Sequence, residues 1–336
     1  MTHRNSEPRT QNSKLVAKDV DMQKPPKKSY RIVKKEEPFV VKQAPHIHSN
    51  KTVNSKMSVF IFALLPAVGV ALFFNSYSAL WLVAHGIVSA LFFEFLGRQV
   101  FKFSYRIPIL GVVALGLMFA LNFSSEAPWW FCWVASFVGI FLGSKCLSRS
   151  NKYVFHPVLL GLLFVVAVFP EYTLVSQIQF DAFHKALPLV NGEETVSFLS
   201  LVIGNYPGAI GVTCKIALLA GFVLLVVKRV ISWKPSVVYL FSVMLVAFLL
   251  GRNPAIEVLS GMILFVGLFI ISDFATSPLQ MKAKIIYAFG AGVLAELLRC
   301  GIGYPEGALL GVLIMNGFTP WLDRCIKIRP LGVNAA

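Results

Sequence analysis

Several residues that can carry charge lie within or at the ends of long apolar runs, among them His85, Glu94, Lys215, Glu257, Asp273, Glu296, Arg299 and Glu306. A charge in such a setting is costly, so each is a functional candidate by default. The simplest structural readings differ from one residue to the next. Glu94 lies near the end of its run, where it can reach an interface. His85, in mid-run, is expected to be an interior, hydrogen-bonded histidine. Lys215, near the start of its run, is expected to extend its ammonium toward the interface. Glu257 and Glu306 open their runs, where a carboxylate suits the positive end of a helix dipole. Asp273 closes its run. Glu296 and Arg299, three residues apart, are spaced for a local ion pair on one helical face.

Other chemistry is sparse. No Ser/His/Asp order, Walker loop or dinucleotide fingerprint occurs. The five cysteines, Cys132, Cys146, Cys214, Cys300 and Cys325, form no CxxC pair and no disulfide framework. His46 and His48 alone are too few ligands for a zinc site. The stretch Gly204-Asn205-Tyr206-Pro207-Gly208-Ala209-Ile210-Gly211 is rich in glycine and opens an apolar run. Backbone N–H groups at such a turn can hold a phosphate. A Gly-Pro turn entering a membrane helix explains the composition equally well.

The elements that must position these residues follow from hydropathy. The chain has 336 residues, 56% of them hydrophobic and only 14% charged, too little charge for a soluble domain of this length. A membrane span takes about 20 apolar residues to cross a core of roughly 30 Å. Candidate spans are 57–74, 78–96, 107–123, 128–146, 154–171, 211–228, 236–251, 255–272, 283–300 and 305–322. The expected fold is therefore an all-α integral membrane protein of about ten transmembrane helices. Two five-helix halves starting on opposite sides of the membrane would permit an inverted repeat.

Loop charge sets the orientation. Arg98, Lys102 and Arg106 follow the second span, and Lys145, Arg149 and Lys152 the fourth. Lys228, Arg229 and Lys234 follow the sixth, Lys282 and Lys284 the eighth, and Arg324, Lys327 and Arg329 the tenth. Lys185 and Arg252 are the exceptions on the other side. The positive-inside rule then puts both termini in the cytoplasm. Residues 1–56 carry thirteen Lys/Arg against five Asp/Glu and no sustained period, as expected of a disordered basic cytoplasmic tail. The net charge of +15 is read as orientation and attraction to anionic lipid rather than as nucleic-acid binding. Beyond the tail lie membrane helices in 57–171, an extracytoplasmic connection over 172–210, membrane helices in 211–324 and a second cytoplasmic tail at 325–336.

Four stretches carry a family resemblance. They are Pro45-His46-Ile47-His48-Ser49 with Ala63-Leu64-Leu65-Pro66-Ala67; the glycine-rich turn Gly204–Gly211; Ser272-Asp273-Phe274-Ala275-Thr276-Ser277-Pro278; and Gly303-Tyr304-Pro305-Glu306-Gly307 with Met315-Asn316 and Pro320. Together they resemble the membrane core subunit shared by the Rnf electron-transport complex, as its D subunit, and the sodium-pumping NADH:quinone reductase, as its B subunit. The resemblance spans residues 45 to 324 and is closer to the Rnf form in length.

It implies a multi-pass subunit in a bacterial inner membrane, working among other membrane and peripheral subunits. Their joint activity, of the translocase class, is flavin-mediated electron transfer coupled to Na⁺ or H⁺ movement. It also implies FMN held through its phosphate by a threonine in the outer connection, where Thr195 stands by position, and room for a second, non-covalent flavin. Gly204, Gly208 and Gly211 would let backbone approach the cofactor, and Asp273 and Glu306 would serve an ion or cofactor path. Glu193 and Glu194 precede Thr195, His156-Pro157 stands for an Asn-Pro, and Val212 stands for a glutamate of the family pattern. Two other functions stay open from the residues: a cofactor-free secondary transporter, and a flavin-free scaffold subunit that keeps the fold.

Overall fold

The chain reverses direction inside its first helical element. The computed structural model describes residues 52–99, 107–146, 154–169, 198–204, 208–273, 275–301 and 306–326. Helix α1, Val53–Gln99, begins at Thr52, whose Oγ1 accepts the Ser55 N–H at 3.2 Å as an N-cap. Its path is broken at Ser76, with φ 38° and ψ −108°. Met57 packs against Gly111, while the Glu94 carboxylate accepts the Ile107 N–H one helical turn away. A straight helix would hold Met57 and Glu94 about 55 Å apart at ~1.5 Å per residue. The two arms of α1 therefore run antiparallel, and they coincide with the candidate spans 57–74 and 78–96.

The later elements follow the apolar runs. Helix α2 is Ile109–Leu121, and α3 is Trp130–Ser136, continued by a π-helical segment Phe137–Cys146. Helix α4 is Pro157–Val168, with proline at its first position, where no backbone N–H is needed. A short helix α5, Phe198–Ile203, precedes the glycine-rich turn. Helices α6, Lys215–Val227, and α7, Trp233–Leu249, come next. The run expected as one span over 255–272 is instead divided. Helix α8, Pro254–Leu259, stops at Ser260, and α9, Ile263–Phe265, restarts beyond it and continues as a π-helical segment Val266–Ile270. Gly261 between them has φ +57°, a left-handed conformation that glycine adopts without strain. Helix α10, Met281–Glu296, passes into a third π-helical segment, Leu297–Gly301, and α11, Gly307–Cys325, follows. Among the described residues there is no strand, only an isolated antiparallel bridge between Ser124 and Ala209.

Small residues set the closest helix crossings. A Cβ on Gly86 would lie 2.5 Å from the Gly116 carbonyl oxygen, and one on Gly116 would lie 2.6 Å from the Gly86 oxygen. The second arm of α1 and α2 thus touch backbone to backbone, the packing that membrane helices favour where no water drives association. On α1, Ser89 meets Ser136 of α3 at 2.9 Å between hydroxyls, a polar contact in an otherwise apolar crossing. Phe60 of α1 packs edge-on against Phe269 at 5.9 Å between ring centres, which ties the first arm to the π-helical segment after α9. Helix α4 packs on α11.

Much of the outward surface is apolar. Phe73 is 80% exposed, Leu249 72% and Val227 71%, all on helices. Water would penalise so broad an apolar exterior, whereas lipid tails solvate it. The molecule is an all-α membrane bundle.

Candidate functional site

The break between α8 and α9 is held by a charge from another helix. Asn253 caps α8, its Oδ1 accepting the Ala255 N–H at 3.1 Å. The last carbonyls of so short a helix lack partners within it. Arg299, in the π-helical segment after α10, supplies them. Its Nη1 donates to the Glu257 carbonyl at 3.0 Å and to the Ser260 carbonyl at 3.4 Å, and its Nη2 donates to the Ser260 hydroxyl. The same Nη1 lies 3.5 Å from Glu257 Oε2. Both side chains are 1% exposed. Arg252, at the rim, reaches Glu257 Oε1 at 3.4 Å. The expected local pair between Glu296 and Arg299 is replaced by this bond across to α8. The π turn redirects the Arg299 side chain, and the open carbonyls at Ser260 attract it.

Glu296 turns elsewhere. Its Oε1 accepts the Cys300 thiol hydrogen at 3.0 Å. Lys215, at the start of α6, is 1% exposed and donates its ammonium to the Val212 carbonyl at 2.7 Å. It therefore does not extend to the interface as its sequence position suggests, because the turn before α6 folds back beneath it. Lys215 and Glu306 both feel the Arg299 charge. Glu306 is buried and stands where α11 begins, its carbonyl accepting the Leu309 N–H at 3.0 Å. Three acids, Glu257, Glu296 and Glu306, thus share one buried region with Arg299 and Lys215, and Arg252 closes its edge.

Asp273 belongs to a different place. His156 Nε2 approaches Asp273 Oδ2 at 3.7 Å, joining the start of α4 to the residues after the α9 segment. The two line a cavity of about 40 Å³ together with Met57, Phe60, Ile107 and Gly111. That volume holds a water molecule or two. Asp273 and Glu306, grouped by the resemblance, are therefore set in separate polar regions. Glu94 is also buried, its Oε1 accepting Arg98 Nε–H at 2.8 Å and the Ile107 N–H at 3.2 Å, so it fastens the end of α1 to the start of α2 instead of reaching an interface. His85 lies between Trp81 and Trp129, with ring centres 4.5 and 5.1 Å away. These are a tilted and an edge-on ring contact, and among the described residues the expected hydrogen bond of the imidazole is not seen.

The glycine-rich turn is knitted into the bundle. Ile210 N–H donates to the Phe123 carbonyl and Gly211 N–H to the Leu121 carbonyl, each at 2.9 Å. A Cβ on Gly211 would collide with Leu121, and Gly204, at φ +96°, packs on Thr213 and Cys214. Gly208 is half-buried. Thr195 and residues 205–207 lie outside the described residues.

Sequence reasoning finds each charged residue but not its partners. The Glu257–Arg299 contact joins positions 42 apart, and no local spacing announces it. The one signal available is Ser260-Gly261 inside an apolar run, a pair that breaks helices at little cost in hydropathy.

Comparison with known proteins places this architecture. Residues 40–332 match the model of the NQR2, RnfD, RnfE family. The chain is 32% identical over 304 residues to the D subunit of the Na(+)-translocating ferredoxin:NAD(+) oxidoreductase complex of Acetobacterium woodii, covering 88% of this chain and 96% of that one. It is 25% identical to the D subunit of the proton-translocating ferredoxin:NAD(+) oxidoreductase complex of Clostridium ljungdahlii, covering 85% and 94%. It is 27% identical to the D subunit of the ion-translocating oxidoreductase complex of Methanosarcina acetivorans, covering 88% and 97%. The chain belongs to the NQR2, RnfD, RnfE family.

Proposed function

We propose that this chain is the D-type membrane subunit of a complex that couples electron transfer from a low-potential donor to Na⁺ or H⁺ movement. The observation that carries the reading is the buried charge region at the break between α8 and α9. Membrane carriers hold cations at mid-depth where helices are discontinuous; here Arg299 occupies the carbonyls at the break, which leaves the acids beside it as the groups that would meet a cation. Glu257, Glu296 and Glu306 supply negative charge, and Arg299 and Lys215 hold it in balance until a cation arrives. Family membership along nearly the whole chain supports an assembly with other subunits. In this reading the chain crosses the membrane ten times with both termini cytoplasmic. The reversal at Ser76 supports that arrangement by turning one long element into two spans.

The flavin belongs to the same proposal. Thr195 offers the hydroxyl that a phosphate ester needs, in a connection placed outside by loop charge. The amides of Ile210 and Gly211 are already committed to backbone carbonyls, so the turn does not present them to a phosphate. Gly204 and Gly211 then act by letting the turn pack tightly, and Gly208 is the glycine left to face a cofactor. A bound flavin would supply electron carriage, and the small cavity at His156 and Asp273 marks a second polar region on its path. The test is ultraviolet fluorescence of the denatured protein band, from a host that has the flavin-attaching enzyme. A fluorescent band that disappears in Thr195→Val is expected. A dark wild-type band would leave a flavin-free scaffold as the better reading. A secondary transporter is distinguished by solute uptake into vesicles without any electron donor.

A further inference from the structure

The buried charge region contains a ligand set that no sequence motif announces. Glu257, Glu296 and Cys300 each offer one ligand atom, and all three atoms lie within 4.8 Å of one another. Two come from α10 and its π-helical continuation, and the third comes from α8. The Cys300 thiol already rests 3.0 Å from Glu296 Oε1. Glu296 is fully buried, and its other oxygen, Oε2, has no hydrogen-bond partner among the described residues. A buried carboxylate oxygen left without a partner is costly, and a cation at this point would satisfy it.

We propose that Glu257, Glu296 and Cys300 form a binding site for a divalent transition-metal ion of the zinc class. One thiolate with two carboxylates favours zinc over magnesium or calcium, which take oxygen alone. Tetrahedral zinc needs ligand atoms about 3.3–3.8 Å apart, from bonds of ~2.0–2.3 Å, so side-chain shifts of about 1 Å close the site. Three protein ligands leave a fourth position for water. Binding forms a zinc–sulfur bond and releases the Cys300 thiol proton to solvent. Two guanidiniums already face Glu257, yet at 3.4 and 3.5 Å their contacts are long for charge-assisted bonds, so a metal can share that carboxylate with them. Cys300 is half-buried, which gives the ion a way in. A metal here would bridge α8 to α10, hold the break between α8 and α9 in one state and so compete with a transported cation for Glu257 and Glu296. The site stands on this geometry alone and does not require the redox function.

The test uses the full-length chain purified in detergent. Cadmium titration should give a thiolate-to-metal charge-transfer absorbance saturating at one ion per chain. Cys300→Ser and Glu296→Gln should each weaken binding roughly tenfold or more. Cys325→Ser, remote from the site, should leave it unchanged. A measurement on the unaltered chain guards against misfolding of the variants: Zn²⁺ should protect Cys300 from maleimide, read by peptide mass mapping. A cadmium band that survives in folded Cys300→Ser, or alkylation of Cys300 unchanged by Zn²⁺, would overturn the proposal.

Discussion

The helices before residue 170 and those after residue 197 bury different things. From α1 to α4 the contacts are backbone against backbone and ring against ring, as at Gly86 and Gly116 or His85 and Trp129. Glu94 and His156 are the buried ionisable side chains described there. From α6 to α11 the interior holds Lys215, Glu257, Glu296, Arg299 and Glu306. Close packing holds both regions: in the second, a Cβ on Gly292 would lie 2.6 Å from the Tyr239 carbonyl oxygen and one on Gly311 2.6 Å from the Ala295 nitrogen. What the second region adds is a cluster of buried charge, and charge can be rebalanced by an arriving ion whereas shape cannot. On the proposed function, ion handling falls to the second region and scaffolding to the first.

The contrast can be broken most severely at Arg299. Arg299→Leu takes the buried guanidinium from Glu257 and the Ser260 carbonyl, leaving Arg252 at the rim facing the carboxylate, and removal of one partner from a buried pair costs about 3–5 kcal/mol. Thermal unfolding in detergent reads the loss. Combining it with Glu257→Gln should cost less than the sum of the two, because one uncompensated charge is removed by the other change. In the first region the comparable lesion is Gly86→Leu, which forces α1 from α2 and costs about 1–3 kcal/mol by overpacking. Gly69→Leu is its control, since nothing lies within 4 Å of a Cβ there, and stability should hold. Ser89→Ala should cost about 1 kcal/mol for the lost contacts to Ser136 and the Cys132 carbonyl. The smallest effect is expected at lipid-facing Phe73→Leu, within about 0.5 kcal/mol. Equal losses at Gly86 and Gly69 would show that close packing does not govern the first region.

The helices were legible in the sequence because apolar runs of membrane length have few alternatives. Candidate spans 57–74 and 78–96 are divided where the helix breaks at Ser76, and 107–123 contains α2. The divided run at 255–272 was hidden because Ser260 and Gly261 barely lower its hydropathy, while the arginine that stabilises the division lies far along the chain. The π-helical segments were hidden for a similar reason, since a one-residue change in hydrogen-bond register leaves the apolar pattern almost intact. Charged candidates were legible from their cost in lipid; their pairing was not. Glu296 and Arg299 fit the local spacing rule, and tertiary contacts overrode it by offering each a nearer partner. Lys215 fit the rule for snorkelling, and the turn at Val212 captured it instead.

Redox-driven ion movement through this chain can be measured in membrane vesicles. Sealed inverted membrane vesicles from cells with the chain, without it, and with Glu257→Gln in its place would be given reduced ferredoxin and NAD⁺. Uptake of Na⁺ and H⁺ would then be followed. The account predicts donor-dependent uptake of one of these ions that vanishes without the chain and falls sharply in the Glu257→Gln variant. Uptake that persists without the chain, or that proceeds with the chain present but no electron donor, would contradict it.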